Sequence, residues 1–164
     1  MIAAALAAPL TAQQIKIPQN LERLSADAEE SVNVTLDGSL LQLASRFLSD
    51  KDPDDAKVKK ILAGLQGIYV RSFEFAQDGA YTAADLNEAR ALVQGPTWSR
   101  IVGVKSKHDG ENVDVYLKVE TGGKIGGLVV ISAEPRELTI VNIVGTIDPD
   151  QLVELGGQYD IPRL

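Results

Sequence analysis

Residues 136–145 read R-E-L-T-I-V-N-I-V-G and run directly into T-I-D-P-D-Q-L at 146–152. Side chains alternate across a strand. Leu138, Ile140, Asn142 and Val144 therefore share one face, and Thr139, Val141, Ile143 and Gly145 the other. Both sets are mostly apolar, which does not suit a strand with one solvated side. The stretch before it, 125–133, behaves alike, with Ile125, Val129 and Ile131 on one face and Leu128 and Val130 on the other. Glu134-Pro135-Arg136 between them is short enough for a hairpin, and Pro135 suits its turn. Two neighbouring strands that are apolar on both faces form the centre of a sheet. Alternatively, one of their faces is apolar because it binds something.

Composition narrows the class. At 164 residues the chain fits one domain, long enough to bury roughly 70% of its unfolded surface without staples. Hydrophobic residues at 45% with 24% charged are ordinary for a globular protein. The net charge of -7 and the scattered placement of sixteen Lys and Arg argue against nucleic acid, whose phosphates need a basic patch. There is no cysteine, hence no disulfide framework, thiolate zinc site or thiol nucleophile. One histidine leaves a multi-His metal site excluded and a Ser-His-Asp triad with a single possible base.

At the N-terminus, residues 2–12 (I-A-A-A-L-A-A-P-L-T-A) form an Ala- and Leu-rich run ending in small residues before Gln13. The pattern matches the later part of a secretory signal with a cut after Ala12, and it is too short to span a bilayer. No Lys or Arg precedes the run, the first being Lys16; the competing reading is a frayed Ala-rich helix. We therefore divide the chain into a signal-peptide remnant at 1–12 and one domain at 13–164. Without a cysteine for lipid attachment, the expected product is periplasmic or secreted and carries no lipid anchor.

Within the domain, Leu21, Leu24 and Ala28 have helical spacing after Ile17-Pro18, and S-V-N-V-T-L at 31–36 alternates as a first strand. Ser39 with Gln42 suggests a capping box for a helix carrying Leu40, Leu43, Ala44, Phe47 and Leu48. Asp52-Pro53 starts the next helix, with Val58, Ile61, Leu62 and Leu65 on its stripe and Gly67 at its end. A second strand is expected over 68–76. Thr82 with Asp85 caps a third helix, which Gly95-Pro96 stops. Strands over 98–105 and 112–120 follow, then the two already described, with Gly122-Gly123 as a tight turn. In 112–120 the alternation predicts Val113, Val115, Leu117 and Val119 facing the core and Asp114, Tyr116, Lys118 and Glu120 facing water. A last helix begins at Asp148-Pro149, carrying Leu152, Val153 and Leu155. The order β-α-α-β-α-β-β-β-β-α predicts an α+β two-layer sandwich: a mostly antiparallel sheet with a C-terminal four-strand meander and helices packed on one face.

In the segments S-V-N-V-T-L-D-G-S-L-L, G-I-Y-V-R-S-F-E-F, W-S-R-I-V and E-P-R-E-L-T-I-V-N-I-V-G, the chain resembles a family of exported bacterial proteins. That family is catalogued as domain of unknown function number forty-two fifty-two. The resemblance covers nearly everything after residue 18 and lies in strand motifs. It implies export and transfers no activity, substrate or catalytic residue. Many relatives look like lipoproteins, an anchor for which this chain has no cysteine.

Candidate chemistry is sparse. His108 lies in a K-H-D-G turn with no partner signalled, so a solvated turn residue is the better reading. Asp52, Asp54 and Asp55, like Asp148 and Asp150, fit helix capping better than calcium, because the Gly and distant Glu of an EF-hand are missing. The glycines at 122–127 lack phosphate-loop spacing and precede a strand. Asn142 reads as a hydrogen-bonded core residue. The binding candidates are Tyr69, Arg71 and Glu74 on the second strand, and Trp98 with Arg100 on the third. Arginine beside aromatic rings can hold a carboxylate or an aromatic ligand, although an edge arginine stacking its stem on neighbours is the plainer reading.

These features are expected of an exported, non-enzymatic protein-interaction domain of the bacterial cell envelope, without cofactor or metal. The alternative is a small module binding a lipid or other hydrophobic ligand in a pocket. A hydrolase using Glu74 or Glu137 ranks third. The expected partner is a protein or a hydrophobe, with a homodimer as one form and no transmembrane segment.

Overall fold

The computed structural model describes residues 14–151. The signal-peptide remnant expected at 1–12, and Leu152, Val153 and Leu155, expected on the last helix, lie outside that range. The elements run α1 (Gln19–Glu22), α2 (Leu24–Asp27), β1 (Glu30–Asp37), α3 (Gly38–Ser45), α4 (Pro53–Gly64), β2 (Leu65–Glu74), α5 (Ala83–Ala91), β3 (Trp98–Lys105), β4 (Asn112–Val119), β5 (Ile125–Ala133) and β6 (Glu137–Ile147). A further helix starts at Pro149, with the Asp148 carboxylate accepting from the Asp150 N–H at 2.9 Å. The α+β architecture expected from the sequence is the one observed.

All six strands form a single antiparallel sheet in the order β1-β2-β6-β5-β4-β3. The two doubly apolar strands, β5 and β6, thus sit in the middle, and β1 and β3 are the edges. The hairpin between β5 and β6 closes with the Glu134 N–H donating to the Glu137 carbonyl at 2.7 Å. Gly122 and Gly123 turn β4 into β5 at φ 86 and 77, values that favour glycine.

Helix starts follow local chemistry. Asp52 accepts from the N–H groups of Asp54 and Asp55, with Pro53 at the first helical position. Thr82 and Asp85 form the full reciprocal capping box. Several boundaries differ from the expectation, and two of them have a clear local cause. The α3 cap is Asp37, which accepts from the Leu40 N–H at 3.1 Å, rather than Ser39; a carboxylate already positioned by β1 serves the helix directly. Helix α4 stops at Gly64 and Gly67 belongs to β2, because the sheet recruits residues 65–67 into pairing with β6.

The core lies on one side of the sheet. Leu21 and Leu24 from α1 and α2, and Ala89 and Val93 from α5 and the turn after it, pack onto Phe73, Val129, Ile131, Leu138 and Ile140. Fully burying side chains of this size contributes about 1.5–3 kcal/mol each. Helices α3 and α4 pack on one another beside the strand ends they connect.

The orientation of β4 corrects the sequence reading. Asp114 is 3% exposed and Tyr116 packs against the core, while Val113, Val115 and Leu117 lie on the opposite face and none of them is buried. The alternation holds, with the two sides exchanged relative to the expectation. Asp114 can be buried because Arg90 of α5 and Arg100 of β3 both reach its carboxylate, at 2.8 and 3.2 Å.

The candidate interaction face

Cross-strand register sorts the sheet into two faces. On the helix side, Asn33, Arg71, Ile140, Ile131, Asp114 and Gly103 stand abreast from β1 to β3. On the other side the corresponding row is Val34, Val70, Val141, Val130, Val115 and Val102: one valine from every strand, in continuous register. The next row toward the β4–β5 turn is Leu36, Ile68, Ile143, Leu128, Leu117 and Ser99. Toward the other end come Val32, Ser72, Thr139, Ser132, Val113 and Val104, and then Glu30, Glu74 and Glu137 on three neighbouring strands.

None of the side chains in these four rows is buried, and Val104 is 50% exposed. On the central strands β5 and β6 the neighbours one position along, such as Ile131 and Ile140, are at 0–2%. The buried cluster and everything packed against it belong to the helix side. With strands about 4.8 Å apart and successive rows about 6.7 Å apart, the three upper rows span about 24 by 13 Å between their outermost positions. A patch of that order matches the largest found on a typical monomer, and such patches are often functional.

The polar groups on this face gather at one end. Ser72 Oγ and Thr139 Oγ1 are 2.6 Å apart, and both donate to the Glu137 carboxylate, at 3.2 and 2.7 Å. Glu30, Glu74 and Glu137 stand directly opposite one another across β1, β2 and β6, an arrangement that costs stability for like charges. The four Lys and Arg residues carried by the strands, Arg71, Arg100, Lys105 and Lys118, all stand on the helix side by the same register. The open face is therefore apolar and acidic, with no cation in its rows.

The residues singled out from the sequence are divided by the structure. Tyr69 and Arg71 lie on the helix side of β2, next to Asn142 of β6, lining a cleft of ≈ 180 Å³ with Ile15, Ile17 and Glu22. Arg71 pairs with Glu22 of α1 and lies 5.6 Å from the Phe73 ring centre. It is an interior-strand residue that ties a helix to the sheet; the edge placement expected for it is corrected by the strand order. Glu74 stands on the opposite face in the carboxylate row. Trp98 and Arg100 share a face on β3, as expected, but β3 is four strands from β2, about 19 Å away. Trp98 lies against Gly127 and the core, and Arg100 is committed to Asp114. The five candidates do not form one site.

Asn142 is the hydrogen-bonded core residue the sequence suggested. Its Oδ1 accepts from the Ile15 N–H at 3.1 Å and its Nδ2 donates to the Leu128 carbonyl at 3.5 Å, strapping residues 14–17 across the sheet. A second cleft of ≈ 250 Å³ lies by Trp98, Leu92 and Lys118. Both clefts are smaller than the roughly 300–1,000 Å³ of small-molecule pockets. His108 is exposed in its turn. Among the described residues, no group of three or more His, Asp or Glu is placed to hold a metal ion, and no helix is long and apolar enough to cross a membrane.

The sequence reading missed the valine row, the carboxylate row and the Asn142 strap. Each depends on register between distant segments, and only the apolar character of both faces of β5 and β6 signalled the first.

A family model described as "Domain of unknown function (DUF4252)" matches residues 25–155, from α2 to beyond the end of β6. No curated protein and no solved structure matches the chain.

Proposed function

The chain belongs to the DUF4252 family, and from that premise we propose that it is a non-catalytic protein-interaction domain that docks a protein partner on the open face of its sheet. The observation that carries this reading is the row of six valines, one per strand, none of them buried, while on the central strands β5 and β6 the adjacent positions form the core. Covering such a face gains about 25 cal/mol per Å² of apolar area removed from water. A face broader than a single peptide favours a folded surface or a helix as the occupant.

We further propose that the domain works in the bacterial cell envelope. The Ala- and Leu-rich run at 2–12, ending in small residues, supports export. Intact mass of the protein recovered from a periplasmic fraction tests this: a product beginning at Gln13 is expected, and an uncleaved cytoplasmic product would overturn it.

Photo-crosslinking side chains placed one at a time at Val70, Val141 and Leu128 on the open face, and at Asn33 on the helix side, test the docking surface in cells. The expected outcome is discrete protein adducts from the first three positions and none from Asn33. Absence of protein adducts from the open face, or equal yield from both faces, would overturn the reading.

A further inference from the structure

Given that the open sheet face is a docking surface, its chemistry restricts what can occupy it. The face is apolar over the valine and leucine rows, mixed with Ser72, Thr139 and Ser132 in the next, and ends in Glu30, Glu74 and Glu137, with no cation in its rows to balance them. A matching occupant presents an apolar stripe with a positive charge beside it.

This chain carries such an element itself. Leu40, Leu43 and Phe47 recur at helical spacing along α3 and the turn after it, and they are 44%, 49% and 84% exposed. A phenylalanine left this open wastes one of the largest apolar side chains available for burial. Between Gly38 and Ser49 the one charged residue is Arg46, adjacent to Phe47 and exposed.

We infer that the occupant of the open sheet face is α3 of a second copy of this chain, with Leu40, Leu43 and Phe47 on the valine and leucine rows and Arg46 toward the Glu30–Glu74–Glu137 row. The two surfaces are different, so the contact is heterologous and propagates head to tail. A symmetric pairing of two sheet faces is disfavoured by charge: each copy would bring three carboxylates and no cation to the interface.

Sedimentation velocity on the full chain across a range of concentrations tests this. The wild type is expected to self-associate beyond a dimer, and association is expected to weaken as salt rises. Phe47→Glu removes the donor surface and Val70→Glu the acceptor surface, and each should weaken self-association about tenfold or more. Phe47 is so exposed that its substitution leaves folding intact, and circular dichroism checks Val70→Glu. Because each variant retains the surface the other lacks, an equimolar mixture should form a dimer and nothing larger. A wild type that stays monomeric at the highest concentration, Phe47→Glu that associates like wild type, or a mixture that remains monomeric would overturn the inference. Crosslinks from Val70 to a different protein, alongside a monomeric wild type, would defeat this inference and leave the docking function standing; no crosslinks at all would defeat both.

Discussion

The Arg90 Nε–H donates to the Asp114 carboxylate at 2.8 Å, joining α5 to the middle of β4 beneath the helix layer. Arg100 reaches the same carboxylate at 3.2 Å from β3 but is 58% exposed along its side chain, against 30% for Arg90. The two cations therefore differ in value, because water screens the exposed pair. Replacing Arg90 by Met is expected to cost about 2–4 kcal/mol, since it leaves a buried carboxylate with only a screened partner. Arg100→Met should cost no more than about 1 kcal/mol. Urea denaturation of the two variants checks the order, and equal losses would contradict it.

The same pair shows where the sequence could be read and where it could not. Element type followed from local chemistry: Pro53 behind Asp52, Thr82 with Asp85, and the paired glycines at 122 and 123 each dictate a start or a turn without reference to the rest of the chain. The strand limits at Trp98–Lys105 and Ile125–Ala133 also follow from pattern alone. What local pattern does not encode is which side the helices cover. By alternation alone Val113, Val115 and Leu117 read as a core face and Asp114 as solvated. The helices cover the other side, where Glu22 of α1 and Arg90 of α5 pair with Arg71 and Asp114 of the sheet, so that its mixed face can be buried. The five site candidates failed for a related reason. One site would need β2 and β3 close together, whereas β6, β5 and β4 lie between them.

Asn142 sets the position of the N-terminal strap. Its Oδ1 is the acceptor for the Ile15 N–H, and Ile15 and Ile17 pack against the core. Asn142→Ala removes that acceptor and leaves the amide without a partner beside the sheet. Hydrogen exchange at the Ile15 amide is expected to accelerate about tenfold or more, corresponding to roughly 1–3 kcal/mol for a lost buried hydrogen bond. Amides in β5 and β6 should change far less. Uniform acceleration throughout the sheet would show that Asn142 supports the core rather than the strap.

Two tyrosines make stability fall at alkaline pH. Burial raises the Tyr116 hydroxyl above its ordinary value of 10.0, and the neighbouring Asp114 carboxylate adds to the effect against the opposing arginines. Burial likewise raises Tyr81, with Glu134 contributing in the same direction. A group whose pKa is higher in the folded than in the unfolded state contributes its full stability below the unfolded value. That contribution is lost as pH rises through the folded value, because the unfolded chain releases its proton first. Thermal denaturation between about pH 8 and about pH 11 is expected to show a steepening loss above pH 10. Tyr116→Phe should flatten that loss while leaving the neutral-pH midpoint nearly unchanged; an identical alkaline slope in the variant would assign the loss to other groups.

Ile140 and Val141 are consecutive in β6, and the two faces they occupy should respond oppositely to polarity. Ile140 is 2% exposed in the core, whereas Val141 stands unburied at the centre of the valine row. Placing a hydroxyl at 140 combines a lost methyl group with a buried, unpartnered donor, so Ile140→Thr is expected to cost about 3 kcal/mol or more. At 141 the hydroxyl keeps contact with water and the volume is conserved, so Val141→Thr should change stability by less than about 1 kcal/mol. The reverse holds for association. Val141→Thr weakens any contact made through the open face, while a destabilised but still folded Ile140→Val leaves it intact. Denaturant melts and sedimentation on these three variants separate the faces: stability that tracks position 140 and association that tracks position 141 is the pattern a docking surface requires. If Val141→Thr instead destabilised the fold as much as Ile140→Thr, the valine row would be a covered core layer.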